Sequence, residues 1–415
     1  MSRKRTSISP ATFEVSDHSD GSTTATELPF REEDLQGFRL FELLGPLLKQ
    51  LHDVGTERDR SGNRDLHFDH YAALVLFYFF NPVVTSLRAL QQASGLKKVQ
   101  RELGVGRASL GSLSEAANVF NPEFLQPLIG ELSQRLGPLR TGREAEVLKE
   151  LTAVDGTLFR ALPKMAWALW NYDDKKAARL HLHFEVFKGA PVQAELTHGK
   201  YCEKKVMHTM LEAGRLYVMD RGYEQFRLFQ DIVNCGSSFI CHVREQTTWK
   251  VIEERSLTAA DRAANVVYDA IVHLGSHKAD GVLTQPYRVV MVDTGKTDEK
   301  GHKLLLTLVT NRFDLAAELI ALAYHYRWQI ELFFRWLKCV LGCKHLLSNS
   351  QDGVKLQVYL ALIASLLVGL WTGHKPTKRT YEMLCFYFLG IADLSEVVAH
   401  LKSLDKTTAK KRTSA

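Results

Sequence analysis

Tyr324-His-Tyr-Arg327-Trp-Gln-Ile-Glu331-Leu-Phe-Phe-Arg-Trp-Leu-Lys338 is the most informative stretch of the chain. Read as a helix at about 100° per residue, it sets Tyr324 about 20°, Arg327 about 40° and Lys338 about 20° from Glu331. One carboxylate, two cations and one phenol then share a stripe about 60° wide along about 21 Å of helix. Ile330, Phe333, Phe334 and Leu337 supply the apolar remainder. A metal-binding acid flanked by phosphate-binding groups is what phosphodiester chemistry requires. The alternative is a solvated helix face supported by Glu and Arg at four-residue spacing. Against it, the Trp and Phe residues of the same helix call for packing on several sides.

Working outward, Val147-Leu-Lys-Glu-Leu-Thr-Ala-Val154 leads into Asp155-Gly156-Thr157, and Leu216-Tyr-Val-Met219 ends at Asp220-Arg221-Gly222-Tyr223. Both read as strands closed by an aspartate. A charge at the end of a buried strand is costly to desolvate unless it is paired or binds a metal. Each aspartate alone has an ordinary reading as a turn or cap residue. Two of them at the carboxyl ends of neighbouring strands would repel, and a divalent cation would relieve the repulsion. Between them, period-2 stretches at 180–187 and 191–196 predict antiparallel strands, followed by a helix at 204–213. A helix at 225–234 and a strand at 238–243 come next, then strand-like runs at 249–252, 265–274, 287–292 and 304–309. The interval from Asp220 to Glu331 exceeds a hundred residues, too long for a direct connection.

The spacing Tyr-x2-Arg-x3-Glu-x6-Lys resembles the signature of a large family of bacterial insertion-sequence transposases of the DDE class. Asp155-Gly-Thr and Asp220-Arg-Gly-Tyr are similar to that family's first and second acidic motifs, in the same order. The resemblance covers about residues 145–345. It implies an α/β fold with a ribonuclease H-like mixed-sheet core, the aspartates on the first and fourth strands and the glutamate on a helix. The long interval becomes an inserted β-rich subdomain at about 245–310. Asp155, Asp220 and Glu331 become the catalytic and metal-binding residues, holding two Mg2+ ions (or Mn2+). Tyr324, Arg327 and Lys338 become DNA- and phosphate-binding groups. The implied partners are double-stranded DNA, as transposon terminal inverted repeats and target, and a second copy of the chain in a homodimer. Relatives cut the second strand through a hairpin and stack a flipped base on an aromatic residue, for which Trp328 or Trp336 come into question, each with a packing role as the alternative. Two other activities stay open: a nuclease of the same fold that cuts without joining, and an inactive transposase-derived DNA-binding protein.

Outside that core, residues 1–35 are polar and predict a disordered tail. Residues 36–145 are helical, with an apolar run at 68–80 stopped by Asn81-Pro82. Short helices broken at Gly95, Gly104 and Gly106, with Lys97, Lys98, Arg101 and Arg107 at the turns, resemble a helix-turn-helix and predict a DNA-binding region, although a small packed bundle has the same breaks. A helical region at 346–405 and a basic tail at 406–415 follow, with 381–389 a candidate contact surface by elimination. The apolar run at 358–371 falls short of the roughly 20 residues a membrane helix needs and predicts a buried helix.

Composition agrees with this organisation. The 415 residues are 45% hydrophobic and 24% charged, which excludes collagen-like, largely disordered and multi-span membrane classes. Lys and Arg number 53 against 47 Asp and Glu, a net charge of +6 that tilts towards a polyanionic partner without establishing one. The six cysteines form no C-x-x-C pair and the N-terminus has no apolar signal core, so a reduced cytosolic protein is expected, bacterial and nucleoid-associated if the resemblance holds.

Overall fold

The computed structural model describes residues 45–52, 54, 65–139, 142–161, 164–168, 176–275, 285–343 and 345–413. The expected tail at 1–35 lies outside them, as do the side chains of 405–415.

Among the described residues, seven α-helices come first: α1 (Gly45–Lys49), α2 (Phe68–Phe80), α3 (Leu87–Ser94), α4 (Lys97–Leu103), α5 (Leu110–Val119), α6 (Gln126–Arg135) and α7 (Arg143–Val147). Next come β1 (Leu151–Arg160), β2 (Ala177–Glu185), β3 (Ala190–His198), α8 (Glu203–Thr209), β4 (Leu216–Met219), α9 (Phe226–Asn234) and β5 (Ser238–His242). The β-rich stretch holds β6 (Trp249–Glu254), α10 (Ala259–Ala263), β7 (Val266–Leu274), β8 (Tyr287–Thr297) and β9 (Lys303–Thr310). The chain ends in α11 (Ala317–Tyr326), α12 (Trp328–Cys339), α13 (Gln351–Thr372), α14 (Lys378–Phe388) and α15 (Leu394–Thr413).

All nine strands form one mixed sheet in the order β3-β2-β1-β4-β5-β9-β8-β7-β6. β1, β2 and β3 are an antiparallel meander, whereas β4 and β5 run parallel to β1. β9 pairs antiparallel with β5, so the β-rich stretch continues the core sheet through hydrogen bonds. The order of strands along the chain was legible, but that junction joins residues seventy apart and leaves no local signature.

Alternation along the central strands decides where the site lies. Leu151 and Ala153 of β1, Leu216 and Val218 of β4, and Ile240 of β5 face the larger core together with α11, α12 and α13. Val154, Tyr217, Met219, Phe239 and Cys241 face the other, against Leu228, Phe229 and Ile232 of α9. Side chains two apart share a face, so Asp155 and Asp220 project on the same side as Ala153 and Val218. Those two alanine and valine positions are paired in the parallel register. The aspartates, each two residues further on, are therefore level with one another.

Asp155 does not end its strand. β1 leaves β4 at Ala153 but stays paired with β2 to Arg160, with Asp155 opposite Leu182. It marks where β1 and β4 part, and the charge faces the gap that opens there. Asp220 does follow the last residue of β4.

α13 runs through the middle of the helical body, packed against α2, α5, α6 and β3. At 22 residues it is long and apolar enough to cross a membrane, so the length expected from its apolar run was too short. Its burial was read correctly: almost all of it is enclosed by the rest of the fold. Inside it, Lys355 Nζ donates to Glu123 Oε1 at 2.7 Å and to Glu195 Oε1 at 2.8 Å, which ties the helix to β3.

Candidate active site

The predicted single helix over 324–338 is two helices, α11 and α12, joined at Arg327. The joint keeps helical dihedrals (φ −52°, ψ −35°), and its bonds shorten by one residue: Arg327 N donates to Tyr324 O, and Ile330 N to Arg327 O. The stripe survives this tightening. Tyr324 packs its ring 5.8 Å from the Arg327 guanidinium, and Arg327 Nη2 donates to Glu331 Oε1 at 2.7 Å. Ile330, Phe333, Phe334 and Leu337 are buried as expected and hold α12 on β1.

Arg327 reaches in both directions. Its Nη1 lies 3.6 Å from Asp155 Oδ2 while Nη2 holds Glu331, so one guanidinium spans the strand carboxylate and the helix carboxylate. Asp220 Oδ1 accepts the Gly222 N–H at 2.8 Å, and Asp155 Oδ1 accepts the Gly156 N–H at 2.7 Å. Each aspartate is thus oriented by the N–H of a nearby glycine, Gly156 within β1 and Gly222 in the turn after β4, with its second oxygen left to the site. Burial, above all, pushes the Asp155 carboxyl up to about 7; the Gly156 N–H opposes it, Asp220 adds repulsion and Arg327 offsets part of that.

Lys338 sits at the far end of the stripe. Its ammonium donates to Thr157 Oγ1 at 2.6 Å and lies 5.3 Å from the Phe159 ring, so it clasps β1 two residues beyond Asp155. Burial holds it below the ordinary lysine value.

Three further residues complete the site. Glu203, at the start of α8, pairs with Arg179 at 2.5 Å. A Cβ at residue 156 would meet Glu203 Oε1 at 2.6 Å, so the carboxylate, which lies over β1 beside Asp155, would have to shift for any other residue there. Tyr223 is buried beneath Glu203, Asp155 and Asp220; its phenol is raised well above the usual value by burial first and then by those three charges. His242 of β5 packs edge-on against Tyr324, with ring centres 6.0 Å apart. Glu203 and His242 are single residues on other elements, which only the fold brings in, whereas Tyr223 closes the Asp220-Arg-Gly-Tyr motif.

Trp336 is a core residue stacked on Phe333, whereas Trp328 is exposed. Trp328 lines an open groove of about 690 Å3 with Tyr324, Arg327, Val292, Thr294 and Leu306. Lys97, Lys98, Arg101 and Arg107 are all exposed around the short helices α3, α4 and α5. In the 381–389 stretch, Tyr381 instead turns inward, its hydroxyl donating to Phe79 O.

Fold and site together define an α/β protein with a cluster of carboxylates on one face of a mixed sheet. Residues 147–367, more than half of the chain, match the family described as "Transposase DDE domain", and the chain belongs to that family. A putative transposase, y4zB, of Sinorhizobium fredii is 28% identical over 308 residues, covering 74% of this chain and 80% of its own. A probable transposase for insertion sequence element IS5377 of Geobacillus stearothermophilus is 24% identical, covering 68% and 72%. Among solved structures, the synaptic complex of piggyBac transposase with hairpin DNA overlaps 88% of this chain and 80% of its own, at a TM-score of 0.45 and 9% identity.

The family implies use of a divalent metal ion. The donors fit one: Asp155, Asp220 and Glu331 offer oxygen only, which suits a hard cation. The burial that raises Asp155 and its repulsion with Asp220 are both offset by positive charge placed between them.

Proposed function

We propose that this transposase binds the ends of its insertion sequence and carries out metal-dependent strand cleavage and strand transfer, in cut-and-paste transposition. Asp155, Asp220 and Glu331 would hold two Mg2+ ions, with Mn2+ able to substitute, which when bound supply an activated water or DNA 3′-hydroxyl and a stabilised leaving oxygen. Arg327 orients Glu331 and Asp155 and meets phosphate with whichever donors they leave free. Lys338 and Tyr324 extend that cationic stripe along the bound strand and position its phosphates.

On this reading the ribonuclease H-like core spans residues 146–345. The helices of 36–145 contact DNA through Lys97, Lys98, Arg101 and Arg107, and two copies join two DNA ends in the cytoplasm. The observation that carries it is the common projection of Asp155 and Asp220 from paired strands, with Arg327 linking Asp155 to Glu331. The test is to incubate purified protein and Mg2+ with DNA carrying the flanking element ends, and to map the products. Cuts at the ends followed by joining of precut ends into target support the reading. Cutting without joining leaves a nuclease, and binding without either product leaves a DNA-binding protein.

A further inference from the structure

Away from the carboxylate cluster, three histidines and an aspartate gather where the chain enters α2. His67 occupies the cap position of that helix but makes no side-chain capping bond. Asp69 and His70 lie in its first turn, and His52 arrives from the segment that follows α1. We propose that His52, Asp69 and His70 form a binding site for a divalent transition-metal ion, zinc in the first instance, which fastens the chain before α2 onto that helix.

The distances suit such an ion. His52 Nδ1 lies 2.8 Å and His70 Nε2 3.9 Å from the same oxygen, Asp69 Oδ2. One ligand atom from each residue lies within 4.8 Å of the others. Zinc bonds of about 2.0–2.1 Å in a tetrahedron set neighbouring donors about 3.3 Å apart, and the two short separations straddle that value. All three donors therefore lie close enough to share one centre after side-chain adjustment.

The surroundings hold the donors in place. The His70 backbone N–H donates to Asp69 Oδ1 at 2.8 Å, which turns Oδ2 towards the two rings. His67 stacks flat on His52 with ring centres 3.9 Å apart, and its Nδ1 lies 3.3 Å from the His52 carbonyl oxygen, to which it donates. It also stands edge-on to His70, with ring centres 5.6 Å apart. Groups that orient metal ligands in this way are a regular part of metal sites.

A plain His–Asp ion pair needs one ring, and here two imidazoles approach one carboxylate while a third packs against both. Neutral imidazole is the form that binds metal. His70 is held below the ordinary histidine value, by burial first, with His52 and His67 adding to it and Asp69 opposing. The side chains of His52, Asp69 and His70 remain 38%, 12% and 24% exposed, which leaves room for water as a fourth ligand. Nitrogen donors select zinc-like ions over Mg2+, so this site and the all-oxygen cluster would not compete for one ion.

The test uses untagged full-length protein stripped with chelator and titrated with Zn2+ against a competing indicator dye. One equivalent should bind, with affinity lowered at least tenfold in His70→Asn and in His52→Gln and unchanged in Asp155→Asn. Co2+ should give the visible absorption of a four-coordinate site in the wild-type chain, a readout that needs no variant to fold. Failure of the wild-type chain to bind an equivalent of Zn2+, absence of the four-coordinate Co2+ spectrum, or equal affinity in folded histidine variants would overturn the proposal.

Discussion

Arg327 does two jobs that a lysine could not combine. Its planar fork reaches Glu331 with one nitrogen and approaches Asp155 with the other, where a single ammonium holds one partner at a time. Arg327→Ala and Lys338→Ala should therefore weaken complexes with end DNA and lower the dependence of log affinity on log salt by about one unit each. An unchanged salt slope would remove the residue from the DNA path. Asp155→Asn, Asp220→Asn and Glu331→Gln should each cut Mg2+-dependent nicking by more than about a hundredfold, beyond the ~10–100-fold that supporting groups carry. DNA-end binding should persist in all three. The motif residues were legible at this scale because each motif is a short local stretch: the run through the α11–α12 joint, and an aspartate with a glycine one or two residues on. Glu203 and His242 were not, since nothing local distinguishes a site carboxylate or imidazole from any other.

Elements explain why those residues stay where they are. Arg288 of β8 is buried and grips Asp269 of β7 through two bonds, at 2.8 and 2.7 Å, while donating to Arg312 O and Leu315 O in the segment that leads into α11. The β-rich stretch thereby fixes the start of the helix pair that presents Arg327 and Glu331. Arg288→Met would strand the Asp269 charge in the sheet and should cost about 3–5 kcal/mol, read as a lower denaturation midpoint in urea. β2 supplies a second test. Burial, first of all, lowers His181 to about 4 and His183 to about 3, from 6.5, with neighbouring Arg179 and Arg215 adding to it. Both are neutral when folded, so their contribution is complete above pH 6.5 and is lost as pH falls towards those values. Between about pH 6.5 and 4 stability should fall by about 1.4 kcal/mol per unit for each histidine, and a folded His181→Asn, His183→Gln double variant should show a flatter curve.

Strand existence was readable here from period-2 runs, because each run is local. Two features were not. β1 continues past Asp155 because β2 still pairs with it after β4 has diverged, which is a property of two partners and not of the strand's own residues. The split at Arg327 depends on shortened backbone bonds at one residue, with no proline or glycine to announce it.

At the scale of the whole molecule, α13 and the sheet make one continuous core that spans both helical regions. An all-apolar helix gives no hint of which neighbours enclose it, so sequence showed that α13 is buried but not that α2, α5, α6 and β3 surround it. The carboxylate face is the part of this core that charge destabilises, since Asp155 is largely desolvated and lies near Asp220. Divalent cations should therefore raise the thermal midpoint of the chain by linkage, with about 2.7 kcal/mol gained at a hundred times Kd. Asp155→Asn should begin from a higher midpoint without metal and gain little from Mg2+.

The most direct measurement is anomalous scattering from a crystal of the chain soaked in Mn2+. Ion density enclosed by Asp155, Asp220 and Glu331, within bonding distance of all three, is the predicted result. Ordered carboxylates at full Mn2+ occupancy elsewhere, with no peak between them, would contradict it.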